Sequence, residues 1–367
     1  AARRRRSQDQ RSEREQALRC RVSRAGHPDP LIEGNQRKGR TGMRYAATKR
    51  LLALGALILG ATTASCGVPG ERVSVPTRAG YDFADFQSAP SAGPALVGGL
   101  VLPSSGPLRG AAILSHGAGG TGARQERAAR RLAELGIAAL VLDHFGARGV
   151  RSVARDQLRV TEQQMAADIF AARDILSERL DLPPDRIGAI GWSKGATAVT
   201  LAAVGRLGGL VSNGGEPLAF AAAYYPFCGF RLDDEPLATP LLMLLAGADD
   251  WTPSAPCLRQ ARSWSAEGQL VSWELYENAA HGFDSRSGRF QIDSAVTVRE
   301  TGPGCTLEVD ALGRTVTLDG FQALDSPEAR RRFLTACGVR GVTFAGDDAA
   351  GAASLTRLTA FIRQALP

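Results

Sequence analysis

Short apolar segments that resemble buried strands alternate with helical segments over most of this chain. Continuous apolar strands separated by helices predict an α/β fold, with a mostly parallel central sheet and helices on both faces. In such sheets, functional residues gather beyond the carboxyl ends of the strands. We predict strands at 95–102, 110–116, 137–143, 186–191, 218–225, 240–247 and 270–277, and helices at 123–136, 161–180, 195–205, 253–268 and 349–366.

The positive charge of the chain is concentrated ahead of these segments. The 367 residues include 44 Lys and Arg and 37 Asp and Glu, so the formal net charge is +7. Up to residue 66 there are 15 basic and 5 acidic residues, whereas the remainder has 29 and 32. A nucleic-acid-binding domain needs a basic patch on its folded part. We therefore expect no nucleic acid partner.

Residues 43–66 have the pattern of an export signal. They begin with the first Met of the chain, carry three basic residues, and continue into the apolar run 51–60 and a group of small residues. The apolar run is too short to span a bilayer. We therefore predict an exported protein, in the periplasm or anchored on the cell envelope of a bacterium.

Two interpretations of this leader stay open. Cys66 closes a sequence that resembles a bacterial lipoprotein cleavage box, and we favour lipid attachment there over ordinary signal cleavage after Ala64. The Arg-rich residues 1–42 are polar and aperiodic, which predicts disorder. We interpret them as upstream sequence included because the start of translation was assigned too early, with a real basic arm as the alternative.

The rest of the chain is predicted to be a linker followed by one catalytic domain. Residues 67–92 are rich in Gly, Pro and Ser and are interpreted as the linker. Residues 93–367 form the catalytic domain. Within it, 284–345 is polar and turn-rich, and we predict an irregular insertion before the last helix.

Four cysteines follow the leader, an even number that permits two disulfides in an exported protein. We prefer the pairs Cys228–Cys257 and Cys305–Cys337, because each would join segments of similar sequence neighbourhood. Buried free thiols are the alternative. The chain has no Cys-x-x-Cys spacing and no His/Cys cluster, so no metal site is predicted.

The strongest functional signal is the stretch from Gly191 to Gly195, which reads Gly-Trp-Ser-Lys-Gly. It follows a predicted buried strand and precedes a helix of small residues. In a nucleophile elbow, the strand turns sharply into a helix and the serine adopts a strained backbone conformation. Ser193 would then stand clear of the sheet at the positive end of a helix.

A serine nucleophile needs a base and an orienting acid. His281 lies in "NAAHGFD", just after a predicted strand and after Ser193 in the chain. The order nucleophile, acid, histidine places the acid at the end of the preceding strand. We choose Asp249 there and keep Asp250 as an alternative.

The tetrahedral intermediate needs two donors for its oxyanion. One is predicted to be the backbone N–H of Lys194, and the other that of Ala118 or Gly117 in the glycine-rich loop "SHGAGG". His116 is expected to orient this loop, not to act as the base. We also regard His116, Arg148 and Trp192 as candidates for contact with the substrate.

The chain resembles the dienelactone hydrolase family of α/β-hydrolases. The resemblance covers about residues 93–367 and rests on motifs in a fixed order: "SHGAGG", "DHFGARG", "GWSKGA", "YYPFCG", "DDWTPSAPC" and "AHGFD". It implies an α/β-hydrolase fold that acts on esters or lactones, with Ser193 as nucleophile, Asp249 as acid and His281 as base. The motifs that contain cysteine match exported members.

This chain departs from the family at the site itself. The best-studied members use a cysteine nucleophile where Ser193 stands, and Ala196 replaces a usual glycine. Lys194 puts a cation beside the nucleophile; we expect its side chain to extend into solvent, with recognition of an anionic substrate as the alternative. Arg148 is expected either to meet a substrate carboxylate or to form a structural salt bridge.

We therefore predict a serine hydrolase that cleaves a carboxylic ester or lactone through an acyl-enzyme, without a cofactor. A peptidase or acyltransferase with the same three residues is one alternative. A catalytically silent ligand-binding lipoprotein is another, although such a module has no need of all three side chains.

Overall fold

Eight strands form the central sheet of the computed structural model: β1 (Glu71–Val75), β2 (Leu96–Val101), β3 (Gly110–Ser115), β4 (Ile137–Asp143), β5 (Ile187–Trp192), β6 (Ala221–Tyr224), β7 (Leu241–Ala246) and β8 (Val271–Tyr276). Their order is β1-β2-β4-β3-β5-β6-β7-β8. β2 is antiparallel to β1 and β4, and all other neighbours are parallel. The prediction of a mostly parallel sheet is confirmed.

The structure describes residues 69–87, 92–212, 215–298, 302–320 and 322–366. The predicted extension 1–42, the predicted export signal 43–66 and Cys66 lie outside them. Within the described residues, no helix is long and apolar enough to cross a membrane.

Helices cover both faces of the sheet. They are α1 (Ala123–Glu134), α2 (Glu162–Leu180), α3 (Lys194–Ala203), α4 (Gly205–Val211), α5 (Ser254–Ala266), α6 (Pro327–Cys337) and α7 (Asp348–Ala365). Neighbouring residues of one strand point to opposite faces, so Ile113 packs with α2 and α3 while Leu114 packs with α1 and α7. Most predicted helices and strands are present to within a few residues.

The start of α2 shows how local sequence fixes a boundary. Thr161 Oγ1 accepts a hydrogen bond from the N–H of Gln164 at 3.1 Å, and the Gln164 side chain accepts one from the N–H of Thr161 at 2.9 Å. This reciprocal capping satisfies two N–H groups that the helix leaves unpaired. Thr161 is therefore the N-cap residue of α2.

The interpretation of residues 67–92 as a linker is wrong. β1 pairs with β2 along its whole length, and Phe83 and Phe86, in a short 3-10 helix, are buried in the core. Only alternate residues of β1 are buried, and the Gly- and Pro-rich surroundings hide so short a signal. The sequence-based prediction also missed α4, which follows α3 almost directly.

The prediction that 284–345 is irregular is also wrong. Residues 290–344, here called the excursion, contain α6 and four strands: β9 (Phe290–Val298), β10 (Leu307–Val309), β11 (Thr315–Thr317) and β12 (Gly338–Phe344). β9 pairs with β12 and β10 with β11, both antiparallel. These pairs form outside the central sheet. β9 and β12 are half-exposed, and β10 and β11 have only three residues each, so none of them has the long apolar run that marks a buried strand.

The excursion is attached to the catalytic domain at several points. Leu307 exchanges backbone hydrogen bonds with the chain after β6, at Gly229 and Arg231. Asp82 accepts hydrogen bonds from the N–H and hydroxyl of Thr315, at 2.7 and 2.8 Å. Apolar residues of the excursion, including Phe333 and Val342, join the same core as α2 and α3. The excursion is therefore part of the folded domain.

Candidate active site

Ser193 occupies a sharp turn between β5 and α3. Its φ of 53° and ψ of −121° lie in a region that residues with a Cβ atom rarely adopt. A Cβ atom on Gly191 would lie 2.3 Å from the carbonyl oxygen of Gly195, and one on Gly195 would lie 2.3 Å from that of Ser115. Both glycines are needed because backbone from either side occupies the space of a side chain.

Ser193, His281 and Asp249 come from three different loops and meet at hydrogen-bonding distance. His281 Nε2 lies 3.0 Å from Ser193 Oγ, and His281 Nδ1 lies 2.8 Å from Asp249 Oδ2. A carboxylate oxygen only accepts, so Nδ1 carries the proton and Nε2 is free to accept the serine hydroxyl. All three residues are buried. The arrangement can activate the hydroxyl for attack on a carbonyl carbon.

The acid is held by its own loop. Asp249 Oδ1 accepts the N–H groups of Trp251 and Thr252, each at 2.8 Å, and the Thr252 hydroxyl lies 3.0 Å from Asp249 Oδ2. Thr252 was not singled out from the sequence, where its position three residues after the acid was the only signal. Asp250 turns away and accepts hydrogen bonds from Thr343. The choice of Asp249 over Asp250 agrees with this geometry.

The glycine-rich loop after β3 lies against the elbow. A Cβ atom on Gly117 would be 3.3 Å from the Cβ of Ser193. Among the described residues, no acceptor is found for the N–H of Ala118, whose carbonyl binds Val153 N and Ser152 Oγ. Lys194 is the first residue of α3, where helical N–H groups lack intrahelical partners. These N–H groups are therefore free to bind an anion.

The side chain of Lys194 does not extend into solvent, so that expectation is wrong. It is 2% exposed, and Nζ lies 2.6 Å from Glu162 Oε1 and 3.0 Å from the carbonyl oxygen of Gln157. Burial lowers the pKa of Lys194, while the charge of Glu162 opposes the shift. The partner is 32 residues away in sequence, so the local pattern contained no signal for it.

Ser193 opens onto a cavity of about 110 Å³. Nine of its 18 lining residues belong to the excursion, including Val296, Leu324 and Phe333. Its walls are mainly apolar, and Lys194, Glu162 and Arg330 are the charged side chains on them. The excursion therefore supplies half of the residues that line the cavity.

The three predicted substrate contacts do not line this cavity. Arg148 makes two hydrogen bonds to Asp168, at 2.7 and 2.9 Å, so its guanidinium group already forms a structural salt bridge. Trp192 is buried and donates to Asp284 Oδ2 at 2.8 Å. His116 is fully buried beneath the glycine-rich loop. The prediction that these residues contact the substrate is wrong, because each side chain is bonded inside the protein and does not reach the cavity.

Both preferred cysteine pairs are disulfides in the structure. Cys228 is bonded to Cys257 and Cys305 to Cys337, and the described part of the chain holds no free cysteine. The first joins the loop after β6 to α5. The second lies within the excursion and joins its early part to the end of α6. No group of three potential metal ligands occurs among the described residues.

A strained serine at the end of β5, with histidine and aspartate in reach on a mostly parallel sheet, defines an α/β-hydrolase. The sequence profile of the dienelactone hydrolase family matches residues 97–300. The chain therefore belongs to the dienelactone hydrolase family.

Individual proteins match the chain less extensively than the family profile does. Uncharacterized proteins from two strains of Mycobacterium tuberculosis are 30% identical over 172 residues, which is 43% of this chain. The match spans 59% of the length of those relatives. Among solved structures, esterase 2 of Thermogutta terrifontis is 19% identical over 52% of this chain and 80% of its own, with a TM-score of 0.42. A proposed dienelactone hydrolase of Klebsiella pneumoniae is 18% identical over 59% and 89%, with a TM-score of 0.43.

Proposed function

We propose that the protein is a serine carboxylesterase that hydrolyses small, neutral esters or lactones through an acyl-enzyme. The observation that carries this proposal is the continuous hydrogen-bonded chain from Asp249 through His281 to Ser193 Oγ, at the wall of a cavity. The family membership supports the same class of reaction.

The reaction has two halves. Ser193 Oγ attacks the carbonyl carbon while its proton passes to His281 Nε2, and the oxyanion is held by the N–H groups of Lys194 and Ala118. The bond to the alcohol breaks, and the alcohol leaves with the proton from His281. Water then attacks the acyl-enzyme and gives a proton to His281, which passes it to Ser193 Oγ as the acid is released. Asp249 keeps the imidazole in one tautomer and stabilises its charged form.

The cavity favours a neutral substrate. Lys194 is paired with Glu162, and Arg330 Nη2 lies 3.4 Å from Asp82 Oδ2, an ion pair without a hydrogen bond, so each cation on the wall has a carboxylate next to it. A substrate carboxylate would be an extra buried charge without a cation of its own, which is costly. The remaining walls, such as Phe227, suit an apolar acyl or alcohol group.

The test is hydrolysis of p-nitrophenyl butyrate by the full chain and by Ser193→Ala. We expect the substitution to lower kcat on the order of 10⁶-fold if the three residues act as a unit. Ser287→Ala, which changes an exposed serine, is the matched control and should keep full activity.

Labelling by a fluorophosphonate is the second test. The wild type should be labelled and Ser193→Ala should not, which identifies the nucleophile. A Ser193→Ala variant with a tenth of the activity would refute the assignment, and an unlabelled, inactive wild type would favour a silent binding protein.

We also propose that the enzyme works outside the cytoplasm. Two disulfides among the described residues support this, because such bonds persist in oxidising compartments. The export signal predicted at 43–66 supports it independently. Expression of the full chain in a bacterium, followed by fractionation and thiol labelling, should recover it in the envelope, with the four disulfide-bonded cysteines unreactive towards the thiol reagent. Recovery in the cytosol with reactive thiols would contradict the proposal.

A further inference from the structure

A buried histidine holds the peptide unit between Gly117 and Ala118. His116 Nδ1 lies 2.8 Å from the carbonyl oxygen of Gly117, which also accepts the N–H of Gly120 at 3.1 Å. A trans peptide is planar, so its C=O and N–H point in opposite directions. The bond that turns the Gly117 carbonyl toward His116 therefore also fixes the direction of the Ala118 N–H.

The partners of His116 define its tautomer. The Gly117 carbonyl can only accept, so Nδ1 carries a proton. The backbone N–H of His144 can only donate. Its nitrogen lies 3.2 Å from His116 Nε2, so Nε2 carries no proton. Both ring nitrogens are used inside the protein, and the side chain is fully buried. His116 can therefore hold the loop, but it cannot exchange a proton with a substrate.

A second layer holds His144 in turn. His144 Nδ1 lies 2.8 Å from Asp168 Oδ2, and Nε2 lies 3.0 Å from Ser115 Oγ. Asp168 also accepts two hydrogen bonds from Arg148, which itself donates to the carbonyl oxygen of His144 at 2.8 Å. These side chains are buried or nearly so. Four side chains thus form a continuous network behind the loop, none of them in contact with the cavity.

We propose that His116 is a positioning residue that aims the Ala118 N–H at the oxyanion, and that the network of Arg148, Asp168 and His144 keeps His116 in place. This inference rests on the proposed esterase function. Oxyanion donors are effective because they are held in place before charge develops, and removal of one donor lowers kcat by about 10²–10³-fold. If the peptide that carries the donor can rotate, the donor stabilises the oxyanion of the transition state less well. Substrate binding changes little, so kcat falls while KM stays nearly the same.

The test compares His116→Phe with His116→Asn. Phenylalanine fills the space but makes no hydrogen bond, and we expect kcat to fall on the order of 100-fold with KM within about threefold of the wild type. Asparagine restores a donor for the Gly117 carbonyl but not the acceptor for the His144 N–H. Its kcat should lie between those of the wild type and His116→Phe.

A transition-state analogue provides the second readout. A trifluoromethyl ketone forms an oxyanion on Ser193, so its inhibition constant should rise in His116→Phe by the same factor as kcat falls. Loss of packing alone would not produce this proportionality. Equal kcat in His116→Phe and the wild type, or a fall in kcat with unchanged inhibitor affinity, would overturn the proposal.

Arg148→Lys tests the outer layer and serves if His116→Phe does not fold. Lysine keeps the charge near Asp168 but loses the two-point contact. We expect kcat to fall about three- to tenfold at unchanged KM, with a parallel loss of trifluoromethyl ketone affinity. An unchanged kcat would remove Arg148 from the network. If the wild type cleaves no ester, the proposed function fails; if it cleaves esters and these variants match it, only the present inference fails.

Discussion

Lys194 and Glu162 form a buried ion pair on the wall of the cavity that contains Ser193. Their charged atoms lie 2.6 Å apart, and their side chains are 2% and 18% exposed. A buried pair adds little net stability, but removal of one partner is costly because the other charge remains buried. Two residues from different helices are thereby coupled beside the nucleophile.

We predict that Glu162→Gln lowers the free energy of unfolding by about 3 kcal/mol, because it leaves the Lys194 charge in a buried site. Lys194→Met should cost less, since Glu162 is partly exposed and can be hydrated. The double variant should recover most of the loss. Urea unfolding followed by circular dichroism measures all four proteins, and additive losses in the double variant would show that the pair is not coupled.

Acid should weaken the fold through His116. Burial lowers its pKa from 6.5 to about 3, and the neighbouring His144 acts in the same direction. Between these values the unfolded chain binds a proton that the folded chain does not, so stability rises with pH from about 3 to 6.5 and falls on acidification. One proton corresponds to about 1.4 kcal/mol per pH unit.

The matched variant is His116→Asn, which has no titrating group at this position. We expect its unfolding free energy, measured in urea between pH 4 and 6.5, to depend less steeply on pH than that of the wild type. Asp168 acts in the same direction in both proteins: burial works to raise its pKa, but Arg148 outweighs burial and the net shift is downward. Equal slopes would show that His116 is not neutral in the folded state.

The excursion should determine the length of the acyl group. Phe333 on α6 lines the cavity, so Phe333→Ala should make room for a longer chain. Each buried methylene contributes about 0.8 kcal/mol, and two additional ones should raise kcat/KM on p-nitrophenyl hexanoate relative to butyrate about tenfold. Phe290→Ala is the matched control, because Phe290 lies in β9 but outside the cavity lining. An unchanged ratio in Phe333→Ala would assign the acyl group to another wall.

Loss of either disulfide should destabilise the protein by about 2–4 kcal/mol. The bonds Cys228–Cys257 and Cys305–Cys337 span 29 and 32 residues, so the loop-closure contributions should be nearly equal. Serine double variants of each pair, compared by urea unfolding, should therefore lose similar amounts. The wild type with a reductant should be less stable than either variant without it. A variant as stable as the oxidised wild type would show that its bond contributes nothing.

Much of the candidate site could be predicted because its geometry follows local rules. The glycines around Ser193 permit the close backbone contacts of the turn, and alternating strands and helices place the ends of β7 and β8 at the same edge of the sheet. Chain order then selected His281, and the structure brings Asp249, not Asp250, to it. These inferences needed only residue types and their order.

The cavity wall could not be predicted in this way. The ion pair of Lys194 with Glu162 joins two helices, and the pairing of β9 with β12 joins residues 40 to 54 positions apart. Such non-local contacts leave no periodic signal in either segment. β1 was missed for the same reason, since its pairing with β2 and not its own five residues makes it a strand.

The excursion begins after the loop of His281 and ends with β12, where the N–H and hydroxyl of Thr343 donate hydrogen bonds to Asp250. The disulfide Cys305–Cys337 joins two residues of the excursion and does not link it to the central sheet. The proposed catalytic residues and half of the residues that line the cavity are therefore encoded in separate, consecutive stretches of the gene. Exchange of the second stretch between relatives would change half of the cavity lining and keep the proposed catalytic residues.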